Sequence, residues 1–471
     1  MKNNPRIYLL DSQAYSPETI AVAFAKTSRS PESFDHIAAE LTDQKSAEFN
    51  EKWVVGYGHS SVAEHAVLHI AIENVSRLAV ENLESNRLGS YTEKSTRYQT
   101  WQTGAFHTPV ELTGSDIKID YEDLCNRLFD FYSALIPRVS ALIAIECPQK
   151  TDESQNAWKR RVQSTAVDSC RFVLPAASIA NVGMTINARS LEHAISKMLS
   201  SELEEVRAMG AGIKGVAQKS VPTLLKYADA NPYPANVSPQ ISQPDIRSGQ
   251  KYGDWCQLVD FTPDLQNRVL AAALYRFGNI DYARSLLSVQ TYPPEQKKGL
   301  IKAIFMGHNR FTTPLRELEH SSFTFDVVLD QGAWYEVKRH RMMTLTTQSF
   351  TPDLGFTVPL AIQQAGCRDE YGALMHECAT FYPKLESVAH GIGSYILPNA
   401  FKRRFLITTN LRSAIHFINL RSAANAHYSV RRLSIRMAEQ IRQVLPEFAP
   451  YLFCELQDDW REIEKNSFYV P

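Results

Sequence analysis

The sequence predicts an α+β chain of two tandem domains, and three observations predict it. One polar segment is written twice, four anchors recur in the same order, and apolar alternation of period two gives way to helical spacing at matched points of both halves. At 471 residues the chain exceeds one ordinary core, so two domains of similar size are expected.

The elements follow in order. Glu18-Thr19-Ile20-Ala21-Val22-Ala23 returns as Asn267-Arg268-Val269-Leu270-Ala271-Ala272, and Gly58-His59 with Glu64-His65 returns as Gly307-His308 with Glu319-His320. Leu68, Ile70 and Ile72 then alternate, as do Phe323, Phe325 and Val327, which predicts a half-buried strand after each Glu-His pair. Ser76 to Asn86 and Ala333 to His340 read as short helices. The third anchor aligns Ser85 to Tyr98 without a gap against Arg339 to Pro352. The fourth is Leu174-Pro175 followed by Asn187-Ala188-Arg189-Ser190, matched by Leu397-Pro398 followed by Asn410-Leu411-Arg412-Ser413, with Pro and Asn 12 positions apart in both. Helical spacing follows each Asn: Leu191, Ile195, Met198, Leu199 and Val206 in the first half, Ile415, Ile418, Leu433, Met437 and Ile441 in the second. Asn is a preferred N-cap, which places backbone N–H groups where they favour an anion. The first half is longer around Thr108 to Arg161, which predicts a long helical insertion. Pro232, Pro234, Pro239 and Pro244 among Asn, Ser and Gln disfavour helix and mark a linker. The expected division is 1–228, a Pro-rich linker 229–254, and 255–471.

Composition excludes several classes. The formal net charge is -1, so no global field steers the chain to nucleic acid or an anionic membrane, and any anion is held by local clusters. The Arg-rich stretch from Arg421 through Arg431, Arg432 and Arg436 falls at helical spacing and does not alter that expectation. Seven cysteines without a Cys-x-x-Cys pair indicate reduced thiols in a cytoplasmic protein, with no zinc knuckle or disulfide scaffold. The apolar run after Met1-Lys2-Asn3-Asn4-Pro5 is broken by Asp11, too soon for a signal peptide, and no uncharged stretch is long enough to cross a bilayer. His59 with Glu64-His65 lacks zinc-helix spacing and a third ligand, so no metal is expected.

The duplicated segment carries the chemistry. Its first copy keeps Glu93-x-Ser95-x-Arg97 and has lost an Arg-His-Arg run; its second keeps Arg339-His340-Arg341 and has lost the acidic and basic ends of the loop. Arginine suits bidentate recognition of phosphate or carboxylate, while Glu93, Ser95 and Arg97 supply an acceptor, a small donor and a cation. Ser95 lacks the Gly-x-Ser-x-Gly elbow of a hydrolase nucleophile. Taken singly, each motif is equally compatible with a solvated helix face or a polar turn.

With these residues in place, the chain resembles the flavin-dependent thymidylate synthase family, whose signature is Arg-His-Arg, seven residues, then Ser. Arg339-His340-Arg341 followed by Ser349 has that spacing, and Arg87, Glu93, Ser95, Arg97 and Tyr98 retain the remainder in the first copy. The resemblance implies two such domains in tandem, each an antiparallel sheet with long packed helices, and a homodimer standing in for the family's homotetramer. It implies reductive methylation of dUMP to dTMP, with FAD as cofactor and NADPH and methylenetetrahydrofolate as co-substrates. By the same resemblance, Arg339, Glu336, Glu93, Ser95, Thr96, Arg97, Arg171 and Arg421 would bind the nucleotide, with Arg421 and Ser95 in catalytic roles. The flavin would be held by Arg339, His340, Arg341, Glu93, Asn410, Arg412 and His416, with His59, Ser61, Glu64, Asn187, Arg189 and His193 contributed by the other copy. The losses fall on opposite sides of one composite pocket: the first copy has Ser85 and Met198 where the second has Arg339 and Arg421, while the second has Thr347, Ser349, Thr351 and Ser394 where the first has Glu93, Ser95, Arg97 and Arg171. One competent and one dead pocket per chain are therefore expected. Glu336 stands where the family usually has Gln, so a methylase or hydroxymethylase of another pyrimidine nucleotide is an alternative. A catalytically dead nucleotide- or flavin-binding paralogue is another.

Overall fold

The computed structural model describes residues 6–28, 30–96, 99–233, 237, 241, 253–452, 454 and 459–469; Arg97 and most of the expected linker lie outside the described residues. Two repeated regions each contain an antiparallel sheet packed on helices, the α+β arrangement expected. The first sheet joins β1 (Val67–Ser76), β2 (Gly89–Glu93) and β3 (Ile179–Asn187) in the order β1-β3-β2; the second joins β4 (Cys256–Phe261), β5 (Phe323–Asp330), β6 (Thr344–Thr347) and β7 (Lys402–Thr409) in the order β4-β5-β7-β6.

The two sheets share a register. Leu68 opposes Ile186 as Phe323 opposes Thr409, and Ser90 opposes Thr185 as Thr344 opposes Thr408. Between matched positions β1 holds one residue more, Leu68 to Ser76 against Phe323 to Asp330: the pairing slips between Ile72 and Val75, where Asn74 takes φ of 58°. This is a β-bulge at a residue type that tolerates the left-handed region. The Gly-His anchors have the same cause, since Gly58 and Gly307 adopt φ of 73° and 75°.

Both asparagine anchors are N-caps, as the sequence predicts. Asn187 Oδ1 accepts from the Ser190 N–H and Asn410 Oδ1 from the Ser413 N–H, each at 2.8 Å. The apolar run after each Asn is divided between two helices: Ala188–Leu199 and Glu204–Ala217 in the first copy, Leu411–Arg421 and Tyr428–Val444 in the second. The Arg-His-Arg run is not helical. Helix Gln331–Val337 ends two residues before Arg339, because the chain must reverse to enter β6 at Thr344.

The expected extra length of the first copy is a longer helix, Ile117–Glu146 with 30 residues and about 45 Å at 1.5 Å per residue against 19 residues in its counterpart Arg368–Glu386, followed by the helix Gln155–Cys170. Helix Ile117–Glu146 is long and apolar enough to cross a membrane by composition. Asp130 and Arg138 interrupt it, and its face from Tyr121 to Ile143 is buried. That face packs with helix Arg368–Glu386 in a core shared by both repeats, while each sheet keeps a core of its own. The Leu-Pro anchors meet at the centre. The Ala176 N–H donates to Leu397 O and the Asn399 N–H to Leu174 O, both at 3.0 Å, a reciprocal pair about a local two-fold axis. None of the seven cysteines is in a disulfide among the described residues, and burial raises the Cys170 thiol well above its ordinary range, consistent with an inert core residue.

Candidate functional site

The reciprocal backbone pairing brings the two halves of the duplicated segment against each other. On the first copy, Ser76 caps helix Arg77–Glu84, its Oγ accepting from the Ala79 N–H at 2.9 Å, and this places Arg77 in the first turn. β2 ends at Glu93, whose side chain is 2 % exposed, and the turn Lys94-Ser95-Thr96 follows. On the second copy, Asp330 caps helix Gln331–Val337, with Oδ1 accepting from the Ala333 N–H at 2.8 Å. Tyr335 and Glu336 occupy that helix, and Arg339 lies in the turn beyond it.

These elements enclose a cavity of about 210 Å³. The first copy lines it with Arg77, Glu93, Lys94, Ser95, Thr96 and Arg171, the second with Gly332, Tyr335, Glu336, Arg339 and Asn399. Glu93 spans the seam: Oε1 pairs with Arg77 Nη1 at 3.0 Å and Oε2 accepts from Arg339 Nη2 at 3.4 Å. Arg77 also lies 4.2 Å over the Tyr335 ring. Arg171, 5 % exposed, donates from Nη1 to Thr96 Oγ1 at 3.2 Å and sits 3.8 Å from Asp168 Oδ1. Its Nη2 is buried without a hydrogen-bond partner among the described residues. A buried guanidinium N–H left unsatisfied in a polar cavity is a costly arrangement that an anionic ligand would relieve.

Glu336 forms the rear wall. Burial would raise its carboxyl, but the guanidiniums of Arg421, Arg171 and Arg339 outweigh burial and hold it at about 2. It is therefore an ionised acceptor at neutral pH. Arg421, the last residue of helix Leu411–Arg421, donates from Nη1 to Glu336 Oε2 at 2.7 Å and from Nη2 to Glu336 O at 3.1 Å. Arg421 Nε donates to His340 Nε2 at 2.9 Å, which puts the neutral ring's proton on Nδ1. Burial and the nearby Arg421 lower the His340 pKa to about 3, so the ring stays neutral.

Behind this wall lies a second cavity of about 830 Å³, lined by His308 to Pro314, Arg339 to Met343, Arg412, Ser413, His416 and Arg421. Arg339 borders both cavities, whereas Arg421 borders only the larger. Arg412 is held by Glu319, with Nη1 donating to Oε1 at 2.6 Å. Asn410 supports this wall from its cap position and does not line the cavity.

The remaining sequence candidates gather elsewhere. His59, Ser61 and Glu64 line a cavity of about 410 Å³ within the first copy, together with Phe24, Phe49 and Trp53, and Arg189 pairs with Glu64. Asn187 caps the adjoining helix, on which His193 is exposed. The chain does not bring this group against Arg339-His340-Arg341. Sequence reasoning missed Arg77, Lys94, Tyr335 and Asn399. Only Asn399 carried a signal, as the residue after the Leu-Pro anchor, where the first copy has Ala176.

The counterpart of the 210 Å³ cavity is altered at matched positions. Phe350, 3 % exposed, stands where the first copy has Thr96, and Ser394 Oγ, in place of Arg171, donates to Phe350 O at 2.9 Å. Arg403, where the first copy has Ala180, reaches Glu81 Oε1 at 2.6 Å and Gln348 O at 2.8 Å. Thr351 turns to Asp353 and Met198 is fully buried.

Residues 9–223 and 257–447 match the family model described as thymidylate synthase complementing protein. A UPF0159 protein of Thermoplasma acidophilum is 27% identical over 453 residues, spanning 88% of this chain and 90% of its own. A flavin-dependent thymidylate synthase of Geobacter sulfurreducens is 30% identical over 202 residues, spanning 40% of this chain and 82% of its own, which is the proportion expected when one relative matches one repeat. Among solved structures, the UMP/dUMP methylase PolB from Streptomyces cacaoi bound with 5-Br dUMP covers 42% of this chain and 93% of its own, at 20% identity and a TM-score of 0.34, too distant to bear on the argument.

Proposed function

Since this chain belongs to the thymidylate synthase complementing protein family, with both of its repeats matching the family model, we propose that it is a flavin-dependent thymidylate synthase that converts dUMP to dTMP in the cavity between its repeats. The observation that carries this reading is the composite lining: an acceptor and hydroxyls from the first copy, cations from both, and a buried Arg171 Nη2 without a hydrogen-bond partner among the described residues. Arg171, Arg339, Ser95 and Thr96 bind the nucleotide phosphate, and Glu93 fixes Arg77 and Arg339 in place. Glu336 accepts an N–H from the pyrimidine edge, with Arg421 keeping it ionised. Arg97 is assigned to the phosphate by the resemblance alone.

The larger cavity has the size and cationic lining for FAD, with Arg339, His340, Arg341, Arg412 and His416 as its holders and Asn410 setting the helix start. When bound, FAD would supply the hydride, drawing electrons from NADPH, with methylenetetrahydrofolate as the carbon donor. The neutral His340 keeps that wall from adding a further positive charge, and Arg421 anchors it from behind. A homodimer would carry His59, Ser61, Glu64, Asn187, Arg189 and His193 of one protomer towards the Arg-His-Arg turn of its partner, with the division 1–228, 229–254 and 255–471 in each chain.

One observation favours a second substrate. Ionised Glu336 accepts hydrogen bonds and donates none, so it suits the N3–H of uracil and equally the exocyclic amine of cytosine. Calorimetric titration decides between them. The reading predicts one dUMP per chain, binding lost in Ser95→Ala and Arg339→Ala and retained in Ser349→Ala. Tighter binding of dCMP than of dUMP would transfer the assignment to a cytosine nucleotide, and no nucleotide binding would refute it.

A further inference from the structure

The counterpart of the nucleotide cavity has not closed completely. Between the repeats lies a cavity of about 470 Å³ whose lining includes Leu78, Glu81, Asn82, Ser85 and Thr347. In the repeat alignment these five stand where the composite cavity has Gly332, Tyr335, Glu336, Arg339 and Glu93. Its acceptor carboxylate has become Thr347 and its phosphate arginines have become Ser85 and Ser394, so the nucleotide chemistry of the first site is absent.

The lost cations have been replaced from other positions. Lys197, where the second copy has Leu420, reaches Ser85 Oγ with its ammonium. Arg403, where the first copy has Ala180, reaches Glu81. Five basic residues line the space, Arg87, Lys197, Lys338, Arg341 and Arg403, against two acidic ones, Glu81 and Glu84. The acids are consumed by buried pairs, Arg403 with Glu81 at 2.6 Å and Lys338 with Glu84 at 2.8 Å. The other three bases have neutral partners: Ser85 Oγ for Lys197, Met343 O at 3.3 Å for Arg87, and Arg87 O at 3.3 Å together with Gly89 O for Arg341. Among the described residues no carboxylate lies within salt-bridge reach of any of them, and all three residues keep exposed surface, although packing around the Lys197 ammonium lowers its pKa against the opposing pull of Glu81. Leu203, Val206, Trp334 and Leu345 supply an apolar wall.

We infer that this cavity is a second, non-catalytic binding site for a phosphate-bearing ligand whose anionic group is held by Lys197 and Arg87, with Arg341 on the border this cavity shares with the larger one. Three cations held by hydrogen bonds around one concavity, without counter-ions, are pre-organised for a multivalent anion and lose little freedom on binding it. The inference does not rest on the substrate assigned to the first cavity.

The probe is inorganic pyrophosphate, titrated calorimetrically into the full-length protein with saturating dUMP and FAD present, so that the nucleotide and flavin cavities are filled. Wild type should bind one equivalent, and Lys197→Met should weaken it by about tenfold or more, with Lys197→Arg restoring most of the loss. Leu420 at the matched position shows that an apolar side chain is accommodated there, and Arg87→Leu provides an independent variant with the same expected loss. Arg412→Met, which alters only the larger cavity, should leave pyrophosphate affinity unchanged. Absence of binding to wild type, full affinity in both Lys197→Met and Arg87→Leu, or loss confined to Arg412→Met would each overturn the assignment. If dUMP fails to bind while pyrophosphate behaves as stated, the substrate reading fails and this one stands.

Discussion

Replacing Arg171 with methionine should move stability and nucleotide affinity independently. The side chain is 5 % exposed, its Nη2 has no hydrogen-bond partner among the described residues, and its held contacts are Thr96 Oγ1 at 3.2 Å and Asp168 at 3.8 Å. Methionine preserves much of the volume. It forfeits one hydrogen bond, worth about 1 kcal/mol net, and removes an unsatisfied buried donor that costs about 1–3 kcal/mol. The ligand-free protein should therefore be unchanged or more stable by up to about 2 kcal/mol in urea unfolding. Affinity for dUMP should behave differently. Losing a charge-assisted bond of about 1.5–3 kcal/mol to a phosphate weakens binding by roughly 10- to 150-fold. Both quantities are measured on the same preparation, by urea titration and by calorimetry at fixed salt. Destabilisation above about 3 kcal/mol with unchanged dUMP affinity would instead make Arg171 a structural ion-pair partner of Asp168 with no part in phosphate binding.

Three further outcomes follow from the same geometry. The low pKa values of His340, about 3, and Glu336, about 2, both mean that the unfolded chain binds more protons in mild acid, so stability is complete above the unfolded His value near 6.5 and falls as pH drops towards 3. Urea midpoints from pH 8 to pH 4 should show this, and His340→Gln should flatten the part between pH 6.5 and 4.5. Arg403→Ala should cost about 3–5 kcal/mol because it strands the buried Glu81, while the Arg403→Ala/Glu81→Gln double variant should recover part of that loss without altering dUMP affinity. Asn410→Ala should remove about 1 kcal/mol with its N-cap and loosen the wall that carries Arg412, read as a lower thermal midpoint and weaker FAD binding.

What was legible in the sequence was whatever local chemistry determines. Alternation at Leu68, Ile70 and Ile72 marked β1, and Asn before a periodic run marked two helix starts, because a strand's pleat and a cap's hydrogen bond involve only near neighbours. The pairing of Glu93 and Ser95 with Arg339 was also legible, since complementary losses in a duplicate record which residues share a site. Arg77 and Tyr335 were not, because their contact is created by packing between copies and neither belongs to a motif. The position of Arg421 behind the small cavity follows from Glu336: a carboxylate there draws the guanidinium onto itself and onto the adjacent carbonyl. The Arg-His-Arg run looked helical because it continues a helical pattern, yet the short distance to β6 forces the turn.

The most direct measurement is a crystal structure with dUMP bound. One nucleotide should occupy each chain, its phosphate held jointly by Ser95 and Arg171 of the first repeat and Arg339 of the second, with its base at Glu336. A nucleotide lying wholly within one repeat, or in the cavity beside His59, would contradict the composite site.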